Sequence, residues 1–153
     1  DSHIECNDGW IEPLIAQIVK NPRSIAVPVI ASIDRLTFEF SHDPLSRPFI
    51  GGFDKVLNFN WHSIPAEDLS DDQTEPVRSA TMAGGLYAIE KSWFHHLGGY
   101  DDQMDIWGVE NVEMSVRTWT CGGSIVIVPC SVIGKIFLYA GLPLRVKQPI
   151  SWS

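Results

Sequence analysis

The sequence has few basic residues and no long apolar run. It contains 11 lysines and arginines against 19 aspartates and glutamates, a net charge of −8, and the basic residues form no stripe. This balance argues against DNA or RNA as a partner. No apolar stretch approaches the length of a membrane span, and there is no internal repeat or low-complexity tract.

Cysteine is also scarce. The three cysteines are Cys6, Cys121 and Cys130, an odd number, so at least one has no partner within the chain. Their number alone leaves the redox compartment open. The chain starts at Asp1 without an initiating methionine or a legible signal peptide, and we interpret it as a piece of a longer protein.

What is present is the composition of one globular domain. Apolar residues make up 44% of the 153 residues and charged residues 20%. Disordered chains have fewer apolar residues, and a chain of this length can bury a substantial core.

The first half of the chain predicts one helix, two strands and a loop. Apolar residues recur at helical spacing over residues 10–19. Residues 25–30 form a short apolar run typical of a strand, although Pro28 weakens the prediction. Alternating apolar residues over 53–61 predict a half-buried strand, and the polar, acidic stretch 62–79 predicts a surface loop.

The second half predicts two helices and a strand. A short helix is expected over residues 91–97 and a longer one over 110–121, each ended by a pair of glycines. Val112, Val116 and Trp119 should share one face of the longer helix. Residues 124–130 read as a buried strand, and the alternation of helices and strands favours an α/β fold with a mixed sheet.

Three short motifs carry possible chemistry, and the first is Asp1-Ser2-His3. Residues i and i+2 of an extended backbone project to the same side, so Asp1 and His3 could face one point. Oxygen and nitrogen ligands together suit Mn²⁺. Taken alone the motif is weak, since D-x-H also fits a capping or surface role.

The second motif is Ala83-Gly84-Gly85. Adjacent glycines let a ligand approach the backbone closely and contact main-chain N–H and C=O groups. A tight turn or bulge explains the same residues.

The third motif is Trp107-Gly108-Val109-Glu110-Asn111, at the start of the longer helix. Carboxylate and amide groups bind sugar hydroxyls, and an aromatic face covers the C–H surface of a sugar ring. Helix capping by Glu110 and Asn111 is the alternative.

Nine segments in this order resemble the polypeptide N-acetylgalactosaminyltransferases. They are D-S-H, C-N-D-G-W-I-E-P-L, V-P-V-I, G-G-F-D, M-A-G-G-L-Y-A-I, L-G-G-Y-D, M-D-I-W-G-V-E-N, E-M-S-V-R-T-W-T-C-G-G and I-V-P-C-S. The resemblance covers residues 1–137, which it identifies as the C-terminal part of a catalytic domain. Residues 138–153 form a divergent tail without resemblance to the family.

The resemblance implies a GT-A-type nucleotide-sugar transferase fold with a Rossmann-like mixed sheet, incomplete at both ends of this chain. The family transfers GalNAc from UDP-GalNAc to Ser or Thr of polypeptides, with retention and with Mn²⁺. Asp1 and His3 would be metal ligands. Ala83, Gly84 and Gly85 would line the sugar pocket, with Glu110, Asn111 and Trp107 at the catalytic site; their positions are read from the sequence.

Two residues depart from the family pattern. Val109 replaces the second glycine of W-G-G-E-N, which would be costly if that position needs a positive φ. Lys135 replaces the histidine of C-S-R-V-G-H-I-F-R, the third protein ligand of the metal. Because an ammonium group has no lone pair, Lys135 predicts weakened Mn²⁺ binding. An inactive member of the family, acting as a binding or regulatory protein, is the alternative function.

The resemblance also implies a location and cysteine pairing. The family resides in the Golgi lumen as type II membrane proteins, so any membrane contact would come from an N-terminal anchor absent from this chain. In that oxidising setting Cys121 and Cys130 would each pair with cysteines outside this stretch rather than with one another, and Cys6 would stay a thiol. The implied fold and the family pattern together predict Asp1 and His3 at the C-terminal end of a strand. They would face a cleft shared with Gly84, Gly85 and Glu110, and Lys135 would point into the same cleft.

Overall fold

The computed structural model describes residues 2–43, 46–105 and 108–137, and these form a mixed sheet covered on both faces by helices. In chain order the elements are β1 (Ile4–Cys6), α1 (Ile11–Lys20), β2 (Ser24–Ile33), β3 (Phe40–Ser41), β4 (Ile50–Phe53), β5 (Phe59–His62), a 3-10 turn (Ala66–Asp68), β6 (Val77–Arg78), β7 (Ala88–Ile89), α2 (Lys91–Leu97), α3 (Glu110–Thr120) and β8 (Ser124–Ile136).

The centre of the sheet is a parallel pair, β2 and β8. The two strands stay paired from Ser24 and Ser124 to Ile33 and Ile136, and most of their residues are buried. Parallel strands covered on both faces require a nearly continuous apolar sequence, which explains the runs at 25–30 and 124–130. Pro28 lies where the register shifts, so the strand tolerates it there.

Short antiparallel strands border this pair. β1 and β6 pair with β8, while β3 and β7 pair with β2. The sheet is therefore mixed, and the predicted α/β class with a Rossmann-like sheet is confirmed.

Successive residues of the central strands face different helices. Ala26, Val126 and Val128 pack against Leu14 and Ile18 of α1. On the opposite face, α2 and α3 complete a second core, which consists of Ile25, Val27, Met82, Trp93, Leu97, Met114, Ile125 and Ile127. The layers are thus helix, sheet and helix, as the alternation of a strand's side chains requires.

The predicted helices are confirmed at nearly the predicted bounds. Asn21 is the C-cap of α1. Gly98 is the C-cap of α2, and its φ of +93° is the left-handed conformation that glycine adopts without strain. In α1 the stripe Ile11, Ile15 and Val19 remains exposed on the side away from the sheet. No helix among the described residues is long and apolar enough to span a bilayer.

Two predictions of local structure were wrong. Residues 53–61 form a hairpin of β4 and β5 rather than one strand, because Asp54 accepts backbone N–H bonds from Val56 and Asn58 and reverses the chain. The stretch 62–79 is not all loop, since it contains the 3-10 turn and β6.

The apolar face predicted for α3 was also wrong in part. Val112 is buried, but Val116 is 47% exposed. The buried side of this helix instead includes the polar residues Asn111, Ser115 and Thr118. Hydrophobic periodicity failed here because these polar groups find hydrogen-bond partners inside the protein.

Gly51 of β4 provides a test of the packing. A Cβ atom at Gly51 would lie 2.4 Å from the backbone oxygen of Thr81, whereas one at neighbouring Gly52 would meet only the imidazole of exposed His62. We expect Gly51→Ala to lower the free energy of unfolding by about 1–3 kcal/mol, because backbone must move. Gly52→Ala is the matched control and should be close to neutral. Urea unfolding of the complete gene product measures both, and equal losses would contradict the packing described.

Candidate functional site

A polar stripe on α3 holds the backbone that leads to the glycine pair. Asn111, Ser115 and Trp119 follow one another at intervals of four residues, so they lie on one side of the helix. The amide of Asn111 donates to the carbonyl of Met82 at 2.8 Å. The hydroxyl of Ser115 accepts the N–H of Met82 at 3.2 Å, and the indole of Trp119 donates to the carbonyl of Ala80 at 3.0 Å.

The glycine pair follows directly in a conformation suited to glycine. Gly84 and Gly85 have φ values of +76° and +71°, and the N–H of Leu86 bonds to the carbonyl of Gly84 at 2.7 Å. A Cβ on Gly84 would lie 3.3 Å from the Cβ of Asn111. Any side chain there would strain the backbone and crowd the helix, which explains why glycine is needed.

Glu110 closes the start of α3. Its carboxylate accepts the N–H of Gly108 at 2.7 Å, and it lies in the first turn of the helix, where the helix dipole favours negative charge. Glu110 thus bonds to the residue before the N-cap Val109, and no side chain among the described residues caps the helix itself.

Val109 does not have the backbone conformation that would penalise valine. Its φ is −131°, in the range open to every residue, whereas Gly108 before it has a φ of +124°. The expected strain at Val109 is therefore absent, because the position that needs glycine is the preceding one.

Arg117 joins α3 to the end of α2. Its guanidinium donates to the carbonyls of Leu97 and Gly99 at 2.5 and 2.7 Å and pairs with Glu113. Hydrogen bonds to Glu113 raise the pKa of Arg117 further. These hydrogen bonds fix the backbone at Leu97 and Gly99, where the segment that leads to Glu110 starts.

Two tyrosines lie beside the same segment. The hydroxyls of Tyr87 and Tyr100 are 2.8 Å apart. Burial raises the pKa of Tyr100, and the hydrogen bond to Tyr87 and the negative charge of Glu110 add to the effect. Tyr100 therefore remains a neutral hydroxyl near the Glu110 carboxylate.

A second group of residues lies where β1 meets β8. Ile4 pairs with Lys135, and the carbonyl of His3 accepts the N–H of Ile136 at 3.0 Å. Lys135 also places its ammonium 5.9 Å from the ring centre of Phe137. The structure thus brings His3 close to the residue in the place of the family's histidine.

His3 does not end the strand that it adjoins in sequence. His3 precedes β1, with a φ of +61°, and its ring Nδ1 lies 3.1 Å from the hydroxyl of Ser2. Because β1 runs antiparallel to β8, however, His3 still lies at the carboxyl end of a strand, that of β8. Open α/β sheets bind ligands at that edge.

The glycine pair lies toward the same edge. Ala88 pairs with Ala26, and β7 runs antiparallel to β2, so the residues before Ala88 extend toward the carboxyl end of β2. Asp1 and Trp107 lie outside the described residues. Within residues 2–43, 46–105 and 108–137, no group of three or more His, Cys, Asp or Glu side chains is placed to hold a metal.

A cavity of about 500 Å³ opens beside the carboxyl half of the central strands. Val29 and Ile30 of β2 and Cys130 of β8 form part of its wall, together with the aromatic side chains Trp61 and Phe137. Phe137 adjoins Lys135, so the cavity borders the group at β1 and β8. Its size suits a ligand larger than a single sugar.

Comparison with known proteins decides the family. Polypeptide N-acetylgalactosaminyltransferase 5 of Caenorhabditis elegans is 47% identical over 99% of this chain and 24% of its own length. The human polypeptide N-acetylgalactosaminyltransferase 6 is 48% identical over 97% of this chain and 24% of its own length. This chain belongs to the polypeptide N-acetylgalactosaminyltransferase family. It spans about a quarter of the length of these relatives.

The fold agrees with this family. A solved structure of GalNAc-T7 with UDP, GalNAc and Mn²⁺ matches 90% of this chain and 26% of its own, with a TM-score of 0.83 and 37% identity. A sequence model described as the N-terminal domain of galactosyltransferase matches residues 69–140. The expected GT-A-type fold is thereby confirmed for this chain.

Sequence reasoning missed the residues that hold the site together. Ser115, Arg117 and Tyr100 stand out only when their partners are seen, and those partners lie far away in sequence. The spacing of Asn111, Ser115 and Trp119 was the available signal. A polar stripe at helical spacing indicates a face that bonds to something inside the protein.

Asn111 provides a test of the described site. Asn111→Asp keeps the shape but replaces the donor to the Met82 carbonyl with a second acceptor. We expect the free energy of unfolding to fall by about 1–3 kcal/mol, because a buried hydrogen bond is lost. Asn60→Asp is the control, since Asn60 is exposed and its amide bonds only to the nearby Asn58 carbonyl. Chemical denaturation of the two variants measures both free energies of unfolding. An unchanged value for Asn111→Asp would contradict the role of Asn111 in holding Met82.

Proposed function

We propose that the protein containing this chain transfers GalNAc from UDP-GalNAc to Ser or Thr hydroxyls of polypeptides, the first step of mucin-type O-glycosylation. The proposal rests on the close packing of Gly84 against Asn111, in a chain that belongs to this family. Two segments distant in sequence meet there, at the edge of the sheet where nucleotide sugars are expected to bind.

Each residue of the candidate site would have a role that follows from its chemistry. The backbone of Ala83, Gly84 and Gly85 would line the GalNAc pocket, since the glycines leave room for close approach. Glu110 would accept hydrogen bonds from sugar hydroxyls. One N–H of the Asn111 amide is already bonded to Met82, so its oxygen and its second N–H are left for the sugar. Trp107 would cover the donor.

In the transfer, the bond between the sugar's C1 and the diphosphate oxygen would break, and a bond from C1 to the acceptor oxygen would form on the same face. The proton of the acceptor hydroxyl would pass to the leaving diphosphate. The leaving diphosphate carries negative charge that must be stabilised. Lys135, beside His3 at the carboxyl end of β8, would supply one positive charge close to that group.

The donor set fits Mn²⁺ poorly. In the described residues, His3 is the one predicted metal ligand at this end of β8, and Lys135 stands where the family has its third ligand. At about 4 Å and an effective dielectric near 20, one like charge costs roughly 4 kcal/mol, and a doubly charged ion would feel about twice that. We therefore propose that Mn²⁺, which accompanies UDP in the GalNAc-T7 structure, binds this protein weakly.

The partners and location follow the family proposal. Acceptors would be Ser/Thr-containing polypeptides, reached from the Golgi lumen, with any membrane attachment through an N-terminal anchor. Cys6, Cys121 and Cys130 are exposed thiols in this chain. We propose that Cys121 and Cys130 pair with cysteines elsewhere in the protein, as expected in an oxidising compartment.

A transfer assay tests the function. The complete gene product is incubated with UDP-GalNAc and a Ser/Thr-rich peptide, with Mn²⁺ or with a chelator, and the peptide is analysed by mass spectrometry. A gain of one N-acetylhexosamine on a Ser or Thr supports the proposal. Binding of the peptide without any transfer in either condition would instead support an inactive family member.

The variant Lys135→His tests the proposed effect of Lys135 on metal binding. We expect the variant to bind Mn²⁺ at least tenfold more tightly than the natural protein, because a ligand replaces a repelling charge. Transfer activity should rise with it. Calorimetric titration of Mn²⁺ measures the affinity directly, with Lys91→His at an exposed position of α2 as the control. Equal affinities in all three proteins would show that Lys135 is not at the metal site.

A further inference from the structure

Ser115 has a place in the proposed site that neither its sequence nor the family resemblance indicated. It is fully buried in the second turn of α3, and none of the hydrogen bonds described for it reaches residues 83–85. Its hydroxyl donates to the carbonyl of Asn111 at 2.5 Å and accepts the N–H of Met82 at 3.2 Å. One side chain thus joins the helix to the segment that carries Ala83, Gly84 and Gly85.

The Ser115 hydroxyl donates one of these bonds and accepts the other. Its hydrogen goes to a helix carbonyl four residues back, an arrangement common for serine in helices. A lone pair then remains for Met82, whose carbonyl is bonded by Asn111. Both polar groups of the Met82 backbone are therefore fixed by α3, one residue before Ala83.

The opposite side of the segment is fixed as well. Thr81 bonds its N–H to the carbonyl of Gly51 at 3.2 Å, and the hydroxyl of Ser79 donates to the carbonyl of Thr81 at 2.7 Å. With these bonds upstream, Met82 is the last fixed point before two glycines that have no side chains to hold them. The position of the glycine pair then depends on how firmly Met82 is held.

We infer that Ser115 is a positioning residue for the donor sugar: it sets the place of the Ala83–Gly84–Gly85 backbone without contacting the substrate. This inference rests on the proposed function for its consequence in catalysis. Its structural part, the restraint of Met82 by Ser115, stands on the hydrogen bonds alone.

Thr118 provides a matched control on the same helix. It is also fully buried, and its hydroxyl donates to the carbonyl four residues back, Met114, at 2.8 Å. No hydrogen bond described for Thr118 joins it to residues 82–85. Thr118→Val therefore removes the same kind of helix bond as Ser115→Ala and leaves the link to Met82 intact.

The first measurement is amide hydrogen exchange on the complete gene product. In Ser115→Ala we expect the amides of residues 82–86 to exchange on the order of tenfold faster, because Met82 loses its acceptor. In Thr118→Val that segment should exchange as in the natural protein. Unchanged exchange at 82–86 in Ser115→Ala, or equal acceleration in both variants, would overturn the inference.

The second measurement separates positioning from general stability. Ser115→Ala should raise the KM for UDP-GalNAc on the order of tenfold and leave the KM for the acceptor peptide unchanged. Ser115→Thr, which keeps the hydroxyl, should restore the donor KM at least in part. An unchanged donor KM would overturn the positioning role. If the natural protein transfers no sugar, the proposed function fails, and the exchange result still decides whether Ser115 holds the segment.

Discussion

The site depends on one constraint: the backbone of residues 79–82 is held on both sides. On one side it bonds to Gly51 of β4, where a Cβ would collide with the Thr81 oxygen. On the other side it bonds to the polar stripe of α3. A segment that is neither a long strand nor a helix has no ladder of its own, so these bonds must satisfy its buried polar groups. These hydrogen bonds therefore determine the position of the glycine pair.

The regular elements could be predicted because their patterns are local. A parallel pair buried on both faces needs two apolar runs, and both were visible at 25–30 and 124–130. The hairpin over 50–62 was missed for an equally local reason. Its turn is made by Asp54 and by Leu57 at a φ of +65°, and leucine gives no sign of a left-handed residue.

The site could be predicted only in part. Two adjacent glycines indicate close approach of a ligand to the backbone, and Glu110 and Asn111 mark the start of a helix. The sequence therefore predicts the two segments that meet at the candidate site. It does not predict the hydrogen bonds that hold the two segments together. Ser115 and Met82 are 33 residues apart, and no spacing rule links a helix to an irregular segment across such a distance. The valine pattern on α3 was misleading because the side of that helix facing inward is largely polar.

The two departures from the family pattern affect different properties, and neither strains the fold. At Val109 the question was conformational, and a φ of −131° makes valine as acceptable as glycine. At Lys135 the backbone is an ordinary β-strand, so the fold accepts lysine without cost. What changes is the charge and the loss of a lone pair beside His3. Neither substitution disturbs the fold, so the effect that we propose for Lys135 is on the chemistry alone: a strand restricts the shape of its residues but not their ability to bind a metal.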